Sequence, residues 1–164
     1  MARTNRSPKA HLKDKPVRPK PKKTALKPVP NSETGQAVRI LVAEDNPTNQ
    51  KVLSCLLATS DCQIDFVENG LDAIAAVART PYDLVLMDMR MPKMDGVTAT
   101  YRIRSLPEPS ASTPIIALTA DVVAGATEKF QAAGMNGFIP KPIDKSLLFK
   151  TIEEHTGVDV ATGQ

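Results

Sequence analysis

Short apolar runs alternate along most of the chain with longer segments whose apolar residues recur every three or four positions. The short runs predict buried strands, and the longer segments predict amphipathic helices. Strands are predicted at 38–43, 63–67, 83–87, 114–118 and 137–140. Helices are predicted to begin at Asn46-Pro47, Asn69-Gly70, Asp95-Gly96, Val122 and Asp144. Strands that alternate with helices over short connections predict an α/β fold.

The fold expected from this order is a doubly wound, five-stranded parallel sheet with helices on both faces. Because crossovers between parallel strands are right-handed, few topologies are possible, and we expect the flavodoxin-like strand order 2-1-3-4-5. Ligands of such sheets bind outside the carboxyl ends of the strands, where the strand order reverses. The first and third strands are neighbours in this order, so the residues that follow them are expected to meet.

Residues 1–36 lack this pattern and differ from the rest of the chain in charge. They contain ten Lys or Arg, two acids and six of the 14 prolines, for a net charge of +8, whereas residues 37–164 carry −5. A segment of this composition cannot bury enough apolar surface to offset the entropy lost on ordering. We therefore expect a disordered, basic, proline-rich tail that is either a solvated linker or a contact for an anionic partner.

The remaining residues suffice for one domain, expected at 37–156, with a flexible C-terminus at 157–164. No apolar run approaches the ~18 residues that cross a bilayer, and the basic N-terminus lacks the apolar segment of a signal peptide. A cytoplasmic protein is therefore expected. Cys55 and Cys62 have neither CxxC spacing nor a neighbouring histidine, which favours two free thiols over a disulfide or a metal site.

Four of the five predicted strands end in residues with charged or reactive side chains. Glu44-Asp45 follows the first strand, Asp88 the third, Thr119 the fourth and Lys141 the fifth. Taken singly, each is typical of a helix cap, a turn or the protein surface. Together they would bring three carboxylates, a hydroxyl and an ammonium group to one end of the sheet, and this joint arrangement favours a functional site.

The chemistry expected of such a site is phosphoryl transfer. Crowded carboxylates repel one another unless a proton or a cation is bound, and Mg²⁺ prefers a few carboxylates together with water and phosphate oxygens. Lys141 would add a positive charge opposite Asp88, and Thr119 a hydroxyl. Groups of this kind stabilise a phosphoryl group during transfer. A carboxylate can itself be the nucleophile, which gives an acyl phosphate.

The segments that carry a resemblance to a known family are Glu44-Asp45-Asn46, 87–96, Leu118-Thr119-Ala120 and Lys141-Pro142-Ile143. In residue types and joint spacing, the chain resembles the receiver (CheY-like) domain of response regulators in two-component signalling. The resemblance covers about 37–154. It is nearest to the receivers of hybrid histidine kinases, as 44–49 and 133–137 indicate.

This resemblance implies a reaction and a cofactor. Asp88 is implied to be the phosphoacceptor, which takes phosphate from a phosphohistidine on a sensor histidine kinase or a histidine phosphotransfer protein. Glu44, Asp45, Asp88 and the backbone carbonyl of Arg90 are implied to bind Mg²⁺. Such a domain is not an enzyme in the usual sense, because it catalyses only its own phosphorylation and dephosphorylation.

The resemblance also implies which residues respond to the phosphate. Lys141, before an expected cis Pro142, is implied to bind it, and Thr119 to be the switch hydroxyl that moves toward it. Phe138 matches the aromatic switch position, where many family members have tyrosine; a plain core aromatic is the alternative. Arg90 is close to the acceptor in sequence, and the sign of its effect on the lifetime of the phosphoryl group stays open.

Protein contact is the expected output, because too few residues follow the last helix for a DNA-binding domain, and no specific DNA binding is expected. The chain is interpreted as a single-domain regulator or a receiver from a hybrid kinase, with a downstream protein target. Two alternatives are an interaction module whose site is vestigial and a hydrolase of the haloacid-dehalogenase type. That hydrolase class usually has a second aspartate two residues after the nucleophile, where this chain has Arg90.

Overall fold

The computed structural model describes residues 37–121 and 126–160, which contain five strands and five helices in alternation. The strands are β1 Arg39–Ala43, β2 Gln63–Val67, β3 Leu84–Asp88, β4 Ile115–Thr119 and β5 Gly137–Pro140. The helices are α1 Pro47–Leu57, α2 Gly70–Arg79, α3 Gly96–Arg104, α4 Ala126–Ala133 and α5 Lys145–Thr156, with a 3-10 turn at Ser110–Ser112. No helix within the described ranges combines the length and apolar character needed to cross a membrane. The predicted basic tail at 1–36, the predicted helix start at Val122 and residues 161–164 lie outside these ranges.

All strand pairs are parallel, in the order β2-β1-β3-β4-β5. The predicted doubly wound, flavodoxin-like sheet is therefore confirmed. The central strand, β3, pairs with β1 on one side and β4 on the other, and all five of its residues are buried. Strands covered on both faces have uninterrupted apolar runs rather than alternating ones, which explains the run from Leu84 to Met87. The strand order reverses between β1 and β3, so the crevice expected of this fold lies at their carboxyl ends.

Successive side chains of the central strands point to opposite faces of the sheet, where they pack against different helices. One face packs against α1 and α5, through Ile40, Val42, Leu84, Leu86, Ile116 and Leu118. The other packs against α2, α3 and α4, through Leu41, Ala43, Val85, Met87, Ile115 and Ala117. These strand side chains are fully shielded from solvent. The close packing of both faces fixes the strand ends from which the site is built.

Side chains cap the first turn of the helices whose N-termini are described. The side chain of Asn46 accepts from the N–H of Thr48, and that of Asn69 from the N–H of Asp72. In the same way, Asp95 accepts from the N–H of Thr98, and Asp144 from the N–H of Leu147. Each cap satisfies an N–H group that the helix itself leaves without a partner. The predicted starts of these four helices are confirmed.

Two strands end one residue later than the sequence predicts. Asp88 pairs with Leu118 inside the sheet, and Thr119 pairs with Pro140. These residues belong to the strands because main-chain pairing continues beyond the last apolar side chain. After α5, Val158 and Val160 pack against the layer formed with α1 and α5, whereas the sequence predicts a flexible C-terminus from this point.

Arg104, the last residue of α3, joins the end of this helix to two other segments. Its guanidinium donates to the backbone oxygens of Ala111, Thr113 and Gly134 and to Oδ1 of Asn136, each at 2.8 Å. Burial lowers the pKa of Arg104. All four hydrogen-bond partners are neutral oxygens, and together they hold the 3-10 turn and the loop between α4 and β5 against the end of α3.

Arg104→Lys is expected to lower the free energy of unfolding by about 1 to 2 kcal/mol, because an ammonium group cannot present the planar set of donors and leaves carbonyl oxygens unpaired. Urea denaturation followed by circular dichroism measures this. Arg102→Lys, on the exposed side of the same helix, is the matched control, with an expected change within about 0.5 kcal/mol. Equal losses in the two variants would contradict the structural role of the Arg104 contacts.

Candidate functional site

The carboxyl ends of β1, β3, β4 and β5 surround a cleft of about 270 Å³. Glu44, Asp45, Asp88, Thr119 and Lys141 all line this cleft. These are the residues that the sequence predicts at the strand tips, and the parallel sheet brings all of them together. The cleft is thus the candidate site of the molecule.

Three carboxylates crowd one side of the cleft. One oxygen from each of Glu44, Asp45 and Asp88 lies within 4.8 Å of the others. Glu44 is fully buried, Asp88 is 6% exposed, and Asp45 is exposed. Oε1 of Glu44 accepts hydrogen bonds from the backbone N–H of Asn46 at 3.2 Å and the side-chain amide of Asn49 at 3.0 Å. The start of α1 therefore holds the buried carboxylate in place.

Lys141 bridges two of these acids. Its Nζ atom lies 2.8 Å from Oε2 of Glu44 and 3.0 Å from Oδ2 of Asp88. The backbone N–H of Lys141 donates to the carbonyl oxygen of Thr119 at 2.7 Å, so β4 fixes the point from which the side chain extends. The peptide bond between Lys141 and Pro142 is cis, as the family resemblance implies. The side chain thereby connects the end of β5 to the ends of β1 and β3.

Burial and neighbouring charges shift the pKa values of Asp88, Glu44 and Lys141 in different directions. Burial raises the pKa of Asp88, and the hydrogen bond from Lys141 offsets this only in part, because the charge of Glu44 also raises it. Burial opposes ionisation of Glu44 too, but hydrogen bonds from Lys141 and Asn49 hold the pKa of Glu44 below its usual value. Burial lowers the pKa of Lys141, but its bonds to both acids outweigh this and raise it. Lys141 is therefore paired with both acids, and Asp88 is the one of the two whose charge is less stabilised.

The donor set of the cleft fits a hard divalent cation. Three carboxylates face one ammonium group, so the cluster has excess negative charge. Their oxygens are close enough to bind one ion, and carboxylate oxygens are ligands that Mg²⁺ prefers. The backbone carbonyl of Arg90 as a further ligand stays a prediction.

Thr119 and Phe138 make contacts away from Asp88. Oγ1 of Thr119 accepts a hydrogen bond from the N–H of Asp121 at 3.0 Å and lies 3.2 Å from the carbonyl oxygen of the same residue. Phe138 is half-buried in the layer formed with α2, α3 and α4, and its ring centroid lies 6.1 Å from that of Phe130. Phe138 is thus a core aromatic in this structure, and its role as a switch stays a prediction.

Arg90 contacts Asp88 through its backbone and turns its side chain elsewhere. The N–H of Arg90 donates to Oδ1 of Asp88 at 3.2 Å, while Nη2 lies 2.6 Å from Oδ2 of Asp121. Asp121, which also lines the cleft, is absent from the set of residues predicted from sequence. The signal that could have identified it is an acid two residues after Thr119, at the end of a strand that enters the site.

A family of known proteins and several relatives match the chain. The family described as response regulator receiver domain matches residues 40–153. The signal transduction histidine-protein kinase BarA of Escherichia coli K12 is 37% identical over 127 residues, which are 77% of this chain and 14% of that kinase. The chain therefore spans a small part of the curated relatives that it matches.

Solved structures with the same fold include receivers of kinases and regulators. One is the receiver domain of a sensor histidine kinase from Pseudomonas aeruginosa PAO1, described with a magnesium ion coordinated in the active site cleft. Its TM-score is 0.69 at 36% identity, over 75% of this chain and 100% of that one. Another is a chain of the co-crystal of a histidine phosphotransfer protein and the receiver domain of its downstream response regulator from Saccharomyces cerevisiae. The TM-score is 0.68 at 26% identity, over 76% of this chain and 92% of that one.

Proposed function

The chain belongs to the response regulator receiver domain family, and from this premise we propose that it accepts a phosphoryl group on Asp88 in a two-component phosphorelay. Receiver domains are signalling domains rather than conventional enzymes. The observation that carries the proposal is the cluster in which Glu44 and Asp45 lie beside Asp88 while Lys141 contacts it at 3.0 Å. Acids and a lysine around one carboxylate that lines a cleft are the groups that phosphoryl transfer requires.

In the proposed reaction, a carboxylate oxygen of Asp88 attacks the phosphorus atom of a phosphohistidine. The bond from this oxygen to phosphorus forms as the bond from phosphorus to nitrogen breaks. The imidazole leaves with the electron pair of that bond and takes a proton from water. Asp88 lines the cleft with Lys141 at 3.0 Å from its carboxylate, and aspartate carboxylates are nucleophiles that form aspartyl phosphates.

Glu44, Asp45, Asp88 and the backbone carbonyl of Arg90 are the proposed ligands of Mg²⁺. The chemistry supplied by bound Mg²⁺ is neutralisation of the carboxylates and of the phosphoryl oxygens. The Lys141 ammonium group, already beside Asp88, stabilises the negative charge that the phosphoryl group brings. The three acids and the Arg90 carbonyl are therefore proposed to bind the cation, and Lys141 is proposed to bind the phosphoryl group.

Thr119 and Phe138 are the residues proposed to respond to phosphorylation, and a downstream protein is the proposed target. The proposed donor is a sensor histidine kinase or a histidine phosphotransfer protein. Similarity to kinase receivers and to a receiver crystallised with a phosphotransfer protein supports this choice. The domain is proposed to comprise 37–156 together with the packed residues that follow, up to Val160. The basic residues 1–36 are proposed to be a linker or a contact for an anionic partner.

Incubation of the full chain with acetyl phosphate and Mg²⁺ is expected to add one phosphoryl group. Intact-mass spectrometry measures the addition, and peptide mapping after borohydride reduction is expected to locate it at Asp88. The control is the same incubation with excess EDTA, in which the modified fraction is expected to fall sharply. No adduct would instead favour an interaction module with a vestigial site, and an adduct on another residue would refute Asp88 as the acceptor.

A further inference from the structure

We propose that Asp121 is a positioning residue that restrains Arg90 and Thr119 in the unphosphorylated domain and thereby slows phosphorylation of Asp88. This inference rests on the proposed function of Asp88. Asp121 follows β4 and lines the same cleft as the acceptor. It contacts both residues at once, one through its side chain and the other through its backbone.

The contact between Arg90 and Asp121 joins the loop after β3 to the loop after β4, whereas the contact between Thr119 and Asp121 lies within the loop after β4. The Arg90 guanidinium lies 2.6 Å from the Asp121 carboxylate, and the side chains are 82% and 63% exposed. The backbone of Arg90 is fixed beside the acceptor by its hydrogen bond to Asp88. The base of this side chain is therefore next to the acceptor, while its charged end is held on the opposite loop. Oγ1 of Thr119 is held on the same loop by the N–H of Asp121.

The Arg90 guanidinium and the Thr119 hydroxyl can both bind a phosphoryl group more strongly than they bind Asp121. A phosphoryl group offers three acceptor oxygens and nearly two negative charges, and guanidinium groups bind such oxygens strongly. An exposed ion pair such as that of Arg90 and Asp121 contributes little stability, so it can exchange for this stronger partner. Before transfer, however, Asp121 holds the guanidinium away from the incoming phosphoryl group.

Asp121→Asn is expected to raise the second-order rate constant for phosphorylation by acetyl phosphate about two- to five-fold, the range expected when an exposed ion pair is released. The variant keeps the shape of the side chain and the backbone N–H that binds Thr119. In the Arg90→Ala background, which retains the backbone of residue 90, the same substitution is expected to change the rate by less than about 1.5-fold. Glu154→Ala, which breaks the exposed pair of Lys150 and Glu154 on α5, is the matched control and is expected to leave the rate unchanged.

NMR gives a second measurement that does not depend on phosphorylation. The Arg90 Nε–H resonance is expected to shift in Asp121→Asn and to stay in place in Glu154→Ala, with equal thermal midpoints for the two variants. An equal gain in rate with and without the Arg90 side chain would mean simple charge repulsion and would overturn the inference. So would a wild type that is phosphorylated on Asp88 at the same rate as Asp121→Asn. A wild type that is not phosphorylated at all would overturn the proposed function instead, and this inference with it.

Discussion

Asp88→Asn is expected to abolish phosphorylation and, in metal-free buffer, to raise the free energy of unfolding by about 1 kcal/mol. Asparagine preserves the size of the side chain but is not a nucleophile for phosphorus. The substitution also removes one of three clustered negative charges, while the pair of Glu44 and Lys141 at 2.8 Å stays intact. Residues selected for chemistry commonly reduce stability, so their neutralisation is expected to increase it.

The gain in the free energy of unfolding depends on pH, and the shifted pKa of Asp88 determines the direction of this dependence. Its pKa is raised in the folded protein, mainly by burial, so the folded state binds a proton more tightly than the unfolded state. The stability that this proton contributes is fully present below the unfolded pKa and is lost as the pH rises through the raised pKa. Wild type and Asp88→Asn are therefore expected to differ least in acid and most near neutral pH. Thermal unfolding in EDTA at a series of pH values measures the difference.

Asp45→Asn is the matched control, because it removes the same charge from an exposed position in the same cluster. Its gain in stability in EDTA is expected to be the smaller of the two. Added Mg²⁺ is expected to raise the melting temperature of the wild type, since a ligand that binds only the folded state stabilises it. A variant at Asp88 that is no more stable than wild type in EDTA would show that crowding of the acids carries no energetic cost.

Gly96→Ala is expected to lower the free energy of unfolding by about 2 to 3 kcal/mol through overpacking. A Cβ at this position would overlap the carbonyl oxygen of Asp88 and lie 3.0 Å from Cγ of Met87. The first of these atoms belongs to the backbone of the buried central strand, which cannot move without disturbing its neighbours. Gly96 is the first residue of α3, where alanine gains less than the roughly 1 kcal/mol that it gains over glycine in a helix interior, and this is too little to compensate. Urea denaturation gives the change in stability, and the acetyl phosphate assay is expected to give a slower reaction.

Gly137→Ala is the corresponding control. Its Cβ would lie 3.4 Å from Cδ1 of Ile116, which is the mobile end of a side chain. The expected change in the free energy of unfolding is within about 1 kcal/mol. Equal losses at Gly96 and Gly137 would contradict the idea that the backbone of Asp88 admits no larger residue beside it.

The sheet and the set of strand-tip residues could be predicted because they depend on local features. The apolar runs, and caps such as Asn46 and Asp144, define strands and helices without reference to distant parts of the chain. The parallel order then brings the strand ends to one edge, so Asp88 and Lys141 meet although they are far apart in sequence. The ends of β3 and β4 were displaced by one residue because main-chain pairing, not hydrophobicity, determines where a strand stops.

The residues with which Lys141 and Arg90 pair in the cleft could not be predicted from the sequence. Lys141 contacts Glu44 as well as Asp88, and residue types alone do not say that one ammonium group serves both. The direction of the Arg90 side chain depends on the position of Asp121, which lies on another loop. Several possible partners lie within reach of each of these groups, so distances and angles rather than chemical identity decide between them.

The close approach of Gly96 to the carbonyl of Asp88 makes the side of the cleft next to α3 more rigid than the side next to β4. On the side of α3, the backbone of Asp88 packs against Gly96 so closely that no Cβ would fit between them. On the side of β4, the contacts of Asp121 with other described residues are an exposed ion pair and a hydrogen bond to a hydroxyl group. A covalent group added at Asp88 is therefore expected to shift Thr119 and Asp121 more than it shifts α3.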